Sequence, residues 1–123
     1  MFHILPVLQW QSVGRKKDRR VPKSRKIVDE TCHLGGGRRG AVLKEEVCCE
    51  GNKVVKYSLA YINPRICPQD NGRVLGYDNN HGQHHRHFWG SVKPYAFSSY
   101  EELVMRFQRE VEDLWRQEDA QDH

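Results

Sequence analysis

The stretch SSYEELVMRFQREVEDLW, residues 98–115, constrains this chain more than any other. Tyr100, Leu103, Val104, Phe107, Val111, Leu114 and Trp115 recur at the i, i+3, i+4, i+7 spacing of one helical face, and Met105 lies off that stripe. Ser98 with Glu101 forms a capping box, in which hydroxyl and carboxylate each satisfy a free backbone N–H; Ser99 with Glu102 offers the same box one residue later. The tail QEDAQDH is polar and reads as a frayed end. A helix with one apolar stripe must bury it against another element. What precedes this helix has the period of strands, so the stripe predicts a helix laid on one face of a sheet.

KVVKYSLAYIN, residues 53–63, is the clearest strand. Val55, Tyr57, Leu59 and Tyr61 alternate with Lys56, Ser58, Ala60 and Ile62. AVLKEEVCC precedes it, joined through Gly51-Asn52, both of which tolerate positive φ. NPRICPQDNG carries two prolines and an Asn-Gly, so it reads as a loop ending in a tight turn. RVLGYD is a third strand, with Arg73, Leu75 and Tyr77 opposite Val74, Gly76 and Asp78. NNHGQ turns the chain, and HHRHFWG runs back antiparallel as a fourth. The expectation is an α+β fold: a small antiparallel β-sheet of about four strands, covered by the C-terminal amphipathic helix, in a single domain over residues 41–123.

Residues 1–40 read differently. They hold ten Lys/Arg against three Asp/Glu, whereas residues 41–123 hold ten against thirteen, so the net charge of +4 belongs to the leader and not to the body. GRKKDRRVPKSRK and GGGRRG sustain neither helical nor strand periodicity, and the segment reads as a flexible basic extension; a nucleic-acid-binding arm is the competing reading. The apolar start MFHILPVLQW is too short to span a bilayer, and its charges follow it instead of preceding it, which argues against a membrane anchor and a secretory signal. Cys32, Cys48, Cys49 and Cys67 make no C-x-x-C, which suggests reduced thiols and a cytoplasmic protein. A chain of 123 residues can bury a core without such staples.

GYDNNHGQHHRHFWG, residues 76–90, holds four of the seven histidines: His81, His84, His85 and His87. A core has little use for so many rings that each need two partners. On a strand, His85, His87 and Trp89 point one way and His84, Arg86 and Phe88 the other; Phe88 and Trp89 make opposite claims on the core, so which face is wet stays open. Histidines near neutrality can act as acid and base, and cleaving RNA through its own 2′-hydroxyl needs those two plus a cation for phosphate. His85 and His87 are the candidates for acid and base, with Arg86 or Arg73 on phosphate. Asp78 is a candidate to orient a histidine tautomer. Tyr77, Tyr57, His84 and Asn79 are candidates for substrate binding, the tyrosines as donors or stacking surfaces. No cofactor is implied by this reading. A metal at His81, His84, His85, His87 and Asp78 is the alternative, although the spacing is not a common structural zinc pattern. The blander reading is a polar hairpin built from turn-forming Asp and Asn.

GRVLGYDNNHGQHHRHFWG followed by PYAFSSYEELVMRFQREVEDL resembles the TumE family, small bacterial and archaeal proteins assigned as toxin components of toxin–antitoxin pairs. The resemblance rests on Tyr77-Asp78-Asn79, His85-Arg86-His87, Tyr95-Ala96-Phe97, Leu103 and Phe107, with Lys56-Tyr57 in the preceding strand, and covers about residues 42–116. The chain departs from the family where His84 stands in place of a frequent acidic residue, which weighs against a mechanism using a carboxylate there. The resemblance implies a toxin whose partner is a cognate antitoxin, commonly a small helix-turn-helix protein. RNA as target, and ribonuclease activity, are inferred from the His/Arg cluster and the small size. A non-enzymatic module that blocks a target or binds nucleic acid is the rival function.

Overall fold

A computed structural model describes residues 24–121. Six strands run in chain order through one antiparallel sheet: β1 Arg25–His33, β2 Val42–Glu50, β3 Lys53–Ile62, β4 Arg73–Asp78, β5 His85–Phe88 and β6 Ser91–Pro94. One helix, α1, Tyr100–Gln121, follows and covers one face. The fold is therefore α+β as expected, with six strands instead of about four.

The two additional strands have separate causes. β1 lies in the stretch that reads as leader. Its burial pattern does not alternate, and only Val28 is buried, so it carries no strand signal of its own. It is a strand because it pairs antiparallel along β2, from Arg25–Cys49 to His33–Val42. Residues 1–23, which hold most of the basic tract, lie outside the described residues, and its last two residues, Arg25 and Lys26, open β1. β6 exists because Trp89 and Gly90 both take positive φ, 49° and 86°, and reverse the chain in a two-residue turn between Phe88 and Ser91. Tryptophan is a poor turn signal, since a bulky residue seldom accepts that region.

α1 starts as its capping chemistry requires, one residue later than the first candidate box. The Glu102 N–H donates to Ser99 Oγ at 3.1 Å, which makes Ser99 the cap, while Ser98 Oγ donates to the Glu102 carboxylate at 2.5 Å. Tyr100, Leu103, Phe107, Val111 and Leu114 are buried against Leu43, Val47, Tyr57, Leu59, Tyr61, Leu75 and Tyr77 of the sheet. At the far end of α1, Arg38 from the β1–β2 loop donates to the Trp115 carbonyl and to Asp119, both at 2.9 Å, and stacks over the Trp115 ring.

Two bulges shape the sheet near the histidines. Cys48 pairs with Lys56 and Cys49 with Val54, leaving Val55 extra on β3. Tyr61 pairs with Leu75 and Ile62 with Arg73, leaving Val74 extra on β4. The second bulge reverses the alternation read from sequence. Arg73 does not share a face with Leu75 and Tyr77; it turns to the opposite face, beside Gly76 and Asp78. Bulges re-aim side chains in this way.

Candidate functional site

The helix decides which side of the histidine strand is which. β5 pairs with β4 in unbroken register, Leu75–Phe88, Gly76–His87, Tyr77–Arg86 and Asp78–His85. Leu75 and Tyr77 are buried under α1, so Arg86 and Phe88 lie on the helix side, and His85 and His87 lie on the far face.

On the far face, His87 sits at the centre of a charged cluster. Its Nδ1 is 3.0 Å from Arg73 Nη2 and 3.3 Å from Asp70 Oδ2. Its Nε2 is 2.9 Å from Asp78 Oδ2 but out of line for a hydrogen bond. Asp78, 4% exposed, is also reached by Arg73 Nη1 at 3.3 Å. Arg73 in turn forks onto Asp70, Nε to Oδ2 at 2.9 Å and Nη2 to Oδ1 at 3.0 Å. That fork holds the Asp70 carboxyl below its usual range despite partial burial, with His87 adding to the effect. Asp70 and Asn71 take φ of 51° and 55° in the tight turn before β4, which aims Asp70 back over the strand. Gly76 makes the arrangement possible: a Cβ there would lie 2.5 Å from Arg73 Cδ, so only glycine lets the arginine stem lie flat across β4. Next to the cluster is a pocket of about 290 Å³ lined by Lys44, Glu46, Ser58, Ala60, Ile62 and the Asp70–Asn71–Arg73 edge.

On the helix side a second network locks the sheet to α1. The Tyr77 hydroxyl donates to the Glu110 carboxylate and accepts from Arg86 Nε at 2.9 Å and Arg106 Nε at 3.1 Å. Arg86 Nη2 donates to the other Glu110 oxygen at 2.6 Å. Burial, then the neighbouring Glu110, pushes the Tyr77 phenol up to about 12. Burial alone would lower the Arg86 guanidinium, but Glu110 and Tyr77 hold it above its ordinary value. His84 belongs to this side: it stacks on Phe97 at 4.4 Å, and its Nδ1 lies 2.8 Å from the Tyr57 hydroxyl. Burial leads the rise of the Tyr57 phenol above its usual value.

The residues named from sequence are thus divided. Asp78, His85, His87 and Arg73 share the far face; Arg86, Tyr77, Tyr57 and His84 are on the helix side. Asn79 bridges the β3 bulge, accepting from the Tyr57 N–H and donating to the Val55 carbonyl, both at 2.9 Å. His81 is exposed in the turn after β4, at φ 68°. The four histidines do not converge, and among the described residues no group of three or more His, Cys, Asp or Glu is arranged to hold a metal ion. Sequence reasoning missed Asp70, Gly76 and Glu110. The Asp-Asn-Gly turn was legible, but nothing in it says that its aspartate faces a histidine fifteen or more residues onward.

An antiparallel meander under one helix, with a His/Arg/Asp cluster on the face turned away from that helix, defines a small α+β protein with a polar site on its sheet. The chain belongs to the TumE family: the family's model, Toxin TumE, matches residues 39–115. The match spans β2 to β6 and most of α1, and leaves β1 outside. The protein is accordingly the toxin component of a toxin–antitoxin system, and a cognate antitoxin is its partner. No curated protein and no solved structure matches it. Among the described residues no helix is long and apolar enough to cross a membrane.

Proposed function

We propose that this toxin arrests growth by cutting RNA without a metal, using His85 and His87 as acid and base and Arg73 as the phosphate-binding cation. One observation carries the reading. His87 Nδ1 faces a donor, Arg73 Nη2 at 3.0 Å, and an acceptor, Asp70 Oδ2 at 3.3 Å. The neutral ring accepts from Arg73 and the protonated ring donates to Asp70, so neither state leaves that nitrogen unpartnered. A group that exchanges protons during turnover needs that property. A phosphodiester that draws the Arg73 fork onto itself takes Nη2 from His87 and frees Nδ1 for proton transfer to or from the substrate. The RNA supplies its own nucleophile, the 2′-hydroxyl. Arg73 replaces Arg86 in this scheme, because Arg86 is committed to Glu110 and Tyr77 on the other side of the sheet. The antitoxin, a small helix-turn-helix protein in this reading, silences the toxin by binding it.

The test pairs growth with chemistry. Purified toxin should cleave RNA in EDTA with a bell-shaped pH–rate profile, and His85→Ala or His87→Ala should lower the rate roughly a hundredfold or more and abolish growth arrest. Well-folded variants that remain fully toxic would sink the histidine mechanism and favour the target-blocking alternative.

A further inference from the structure

Two neighbouring rows of side chains cross the far face from β2 to β5. Glu46, Ser58, Asp78 and His85 are successive register partners in one row; Lys44, Ala60, Gly76 and His87 are in the next. Ser58, Ala60 and Gly76 within the rows are small, while Asp78 and the outer members are charged or imidazole. The 290 Å³ pocket lies along these rows, with Lys44 and Glu46 on one side and Asp70, Asn71 and Arg73 on the other. Arg73 is common to the pocket and to the His87 cluster. Ser58 and Ala60 form the floor between Glu46 and Arg73, and about 290 Å³ is room for one base lying on them with its sugar directed toward Arg73.

We infer that this pocket is a guanine subsite, holding a guanine base of the RNA beside the phosphate that Arg73 takes; the inference rests on the RNA reading above. The chemistry of the walls selects the base. Guanine alone among the four bases presents a ring N–H and an exocyclic amino group side by side on its Watson–Crick edge, and a carboxylate accepts two such parallel donors. Glu46 is that carboxylate. Its ion pair with Lys26 is 3.9 Å long and solvent-exposed, so it yields readily to a ligand. Lys44, two residues earlier on β2, reaches the adjacent O6 as donor. Cytosine and adenine offer the carboxylate one amino group beside a ring acceptor, which repels it, and uracil offers one N–H between two carbonyls.

The full-length protein is titrated with 3′-GMP, 3′-AMP, 3′-CMP and 3′-UMP, followed by calorimetry and amide NMR. The expected result is 3′-GMP binding roughly tenfold or more tighter than the others, with shifts at Lys44, Glu46, Ser58 and Asn71. Glu46→Gln, which replaces one acceptor oxygen by a donor, should erase the preference, and Lys44→Met should weaken 3′-GMP more than 3′-UMP. Equal affinity for all four, no binding, or shifts confined to the helix side would overturn the subsite. RNA cleavage assayed separately distinguishes the two readings. A toxin that binds 3′-GMP in this pocket but cuts no RNA would remove the ribonuclease and leave the subsite. One that cuts RNA with no guanine preference would do the reverse.

Discussion

Gly76→Ala should silence the site while leaving the fold in place. A Cβ at this position falls 2.5 Å from Arg73 Cδ and 3.3 Å from its Cγ and Nε. Carbon atoms pack at roughly 3.5–4.0 Å, so the arginine stem must leave the strand. Gly76 is not among the positive-φ residues, so alanine suits the backbone, and the lower entropy of its unfolded chain offsets part of the loss by about 0.4–1 kcal/mol. Arg73 gives up Asp78 at 3.3 Å and His87 at 3.0 Å, but keeps Asp70, which is near enough in sequence to follow it. A hydrogen bond to a charged group contributes about 1.5–3 kcal/mol, and the length of the Asp78 contact argues for the low end. With the His87 contact given the same low value, the net cost is about 2–3 kcal/mol, or roughly 8–15 °C in Tm for a domain of this size. Thermal denaturation by circular dichroism and colony formation on induction read the two consequences. Arg73→Ala should silence toxicity equally and cost more stability, because it also removes the fork onto Asp70, and adding Gly76→Ala to it should lower neither further, because the contacts that the extra Cβ disrupts are already gone. An unshifted transition with undiminished toxicity would refute the claim that Arg73 must lie across Gly76.

The helix-side network predicts alkaline sensitivity. The Tyr77 phenol titrates near 10.0 when unfolded and about 12 when folded, so its contribution to stability is complete below pH 10 and is lost as pH rises through 12. Tyr61 is raised to the same value, so Tyr77→Phe should lessen and not abolish the fall of denaturation midpoints over that window, and an unchanged slope would show that Tyr77 contributes nothing to it. Removing residues 1–38 should destabilise the domain even though the family match begins at residue 39, because it strips β1 from the edge of β2 and takes away Arg38 from the end of α1. Loss of Val28 burial and of the Arg38 contacts should amount to at least ~2 kcal/mol, read as a Tm drop of about 8 °C or more. A truncated chain that melts like the full one would show that β1 contributes nothing.

The helix, its capped start, the β2–β3 hairpin and the antiparallel run of β3, β4 and β5 were all legible in the sequence. Each rests on a local rule: a stripe with period 3.6, serine-glutamate capping, Gly-Asn at the hairpin, side chains alternating with period two. β1 and β6 were not legible, because neither depends on its own residues. β1 takes its conformation from the edge of β2, and β6 from a turn in which the surrounding strands hold Trp89 at positive φ. The histidine cluster was visible as composition, but its division was a tertiary outcome. Glu110 of α1 claims Tyr77 and Arg86, and with them one face of β5, which leaves His85 and His87 on the other. The same holds for Arg73. Regular alternation assigns it to the helix side; one extra residue at Val74 and the missing side chain at Gly76 carry it to His87. Local periodicity reports which residues lie on the same face of a strand. It cannot report where a bulge breaks that period, because the bulge is set by pairing with a partner distant in the chain.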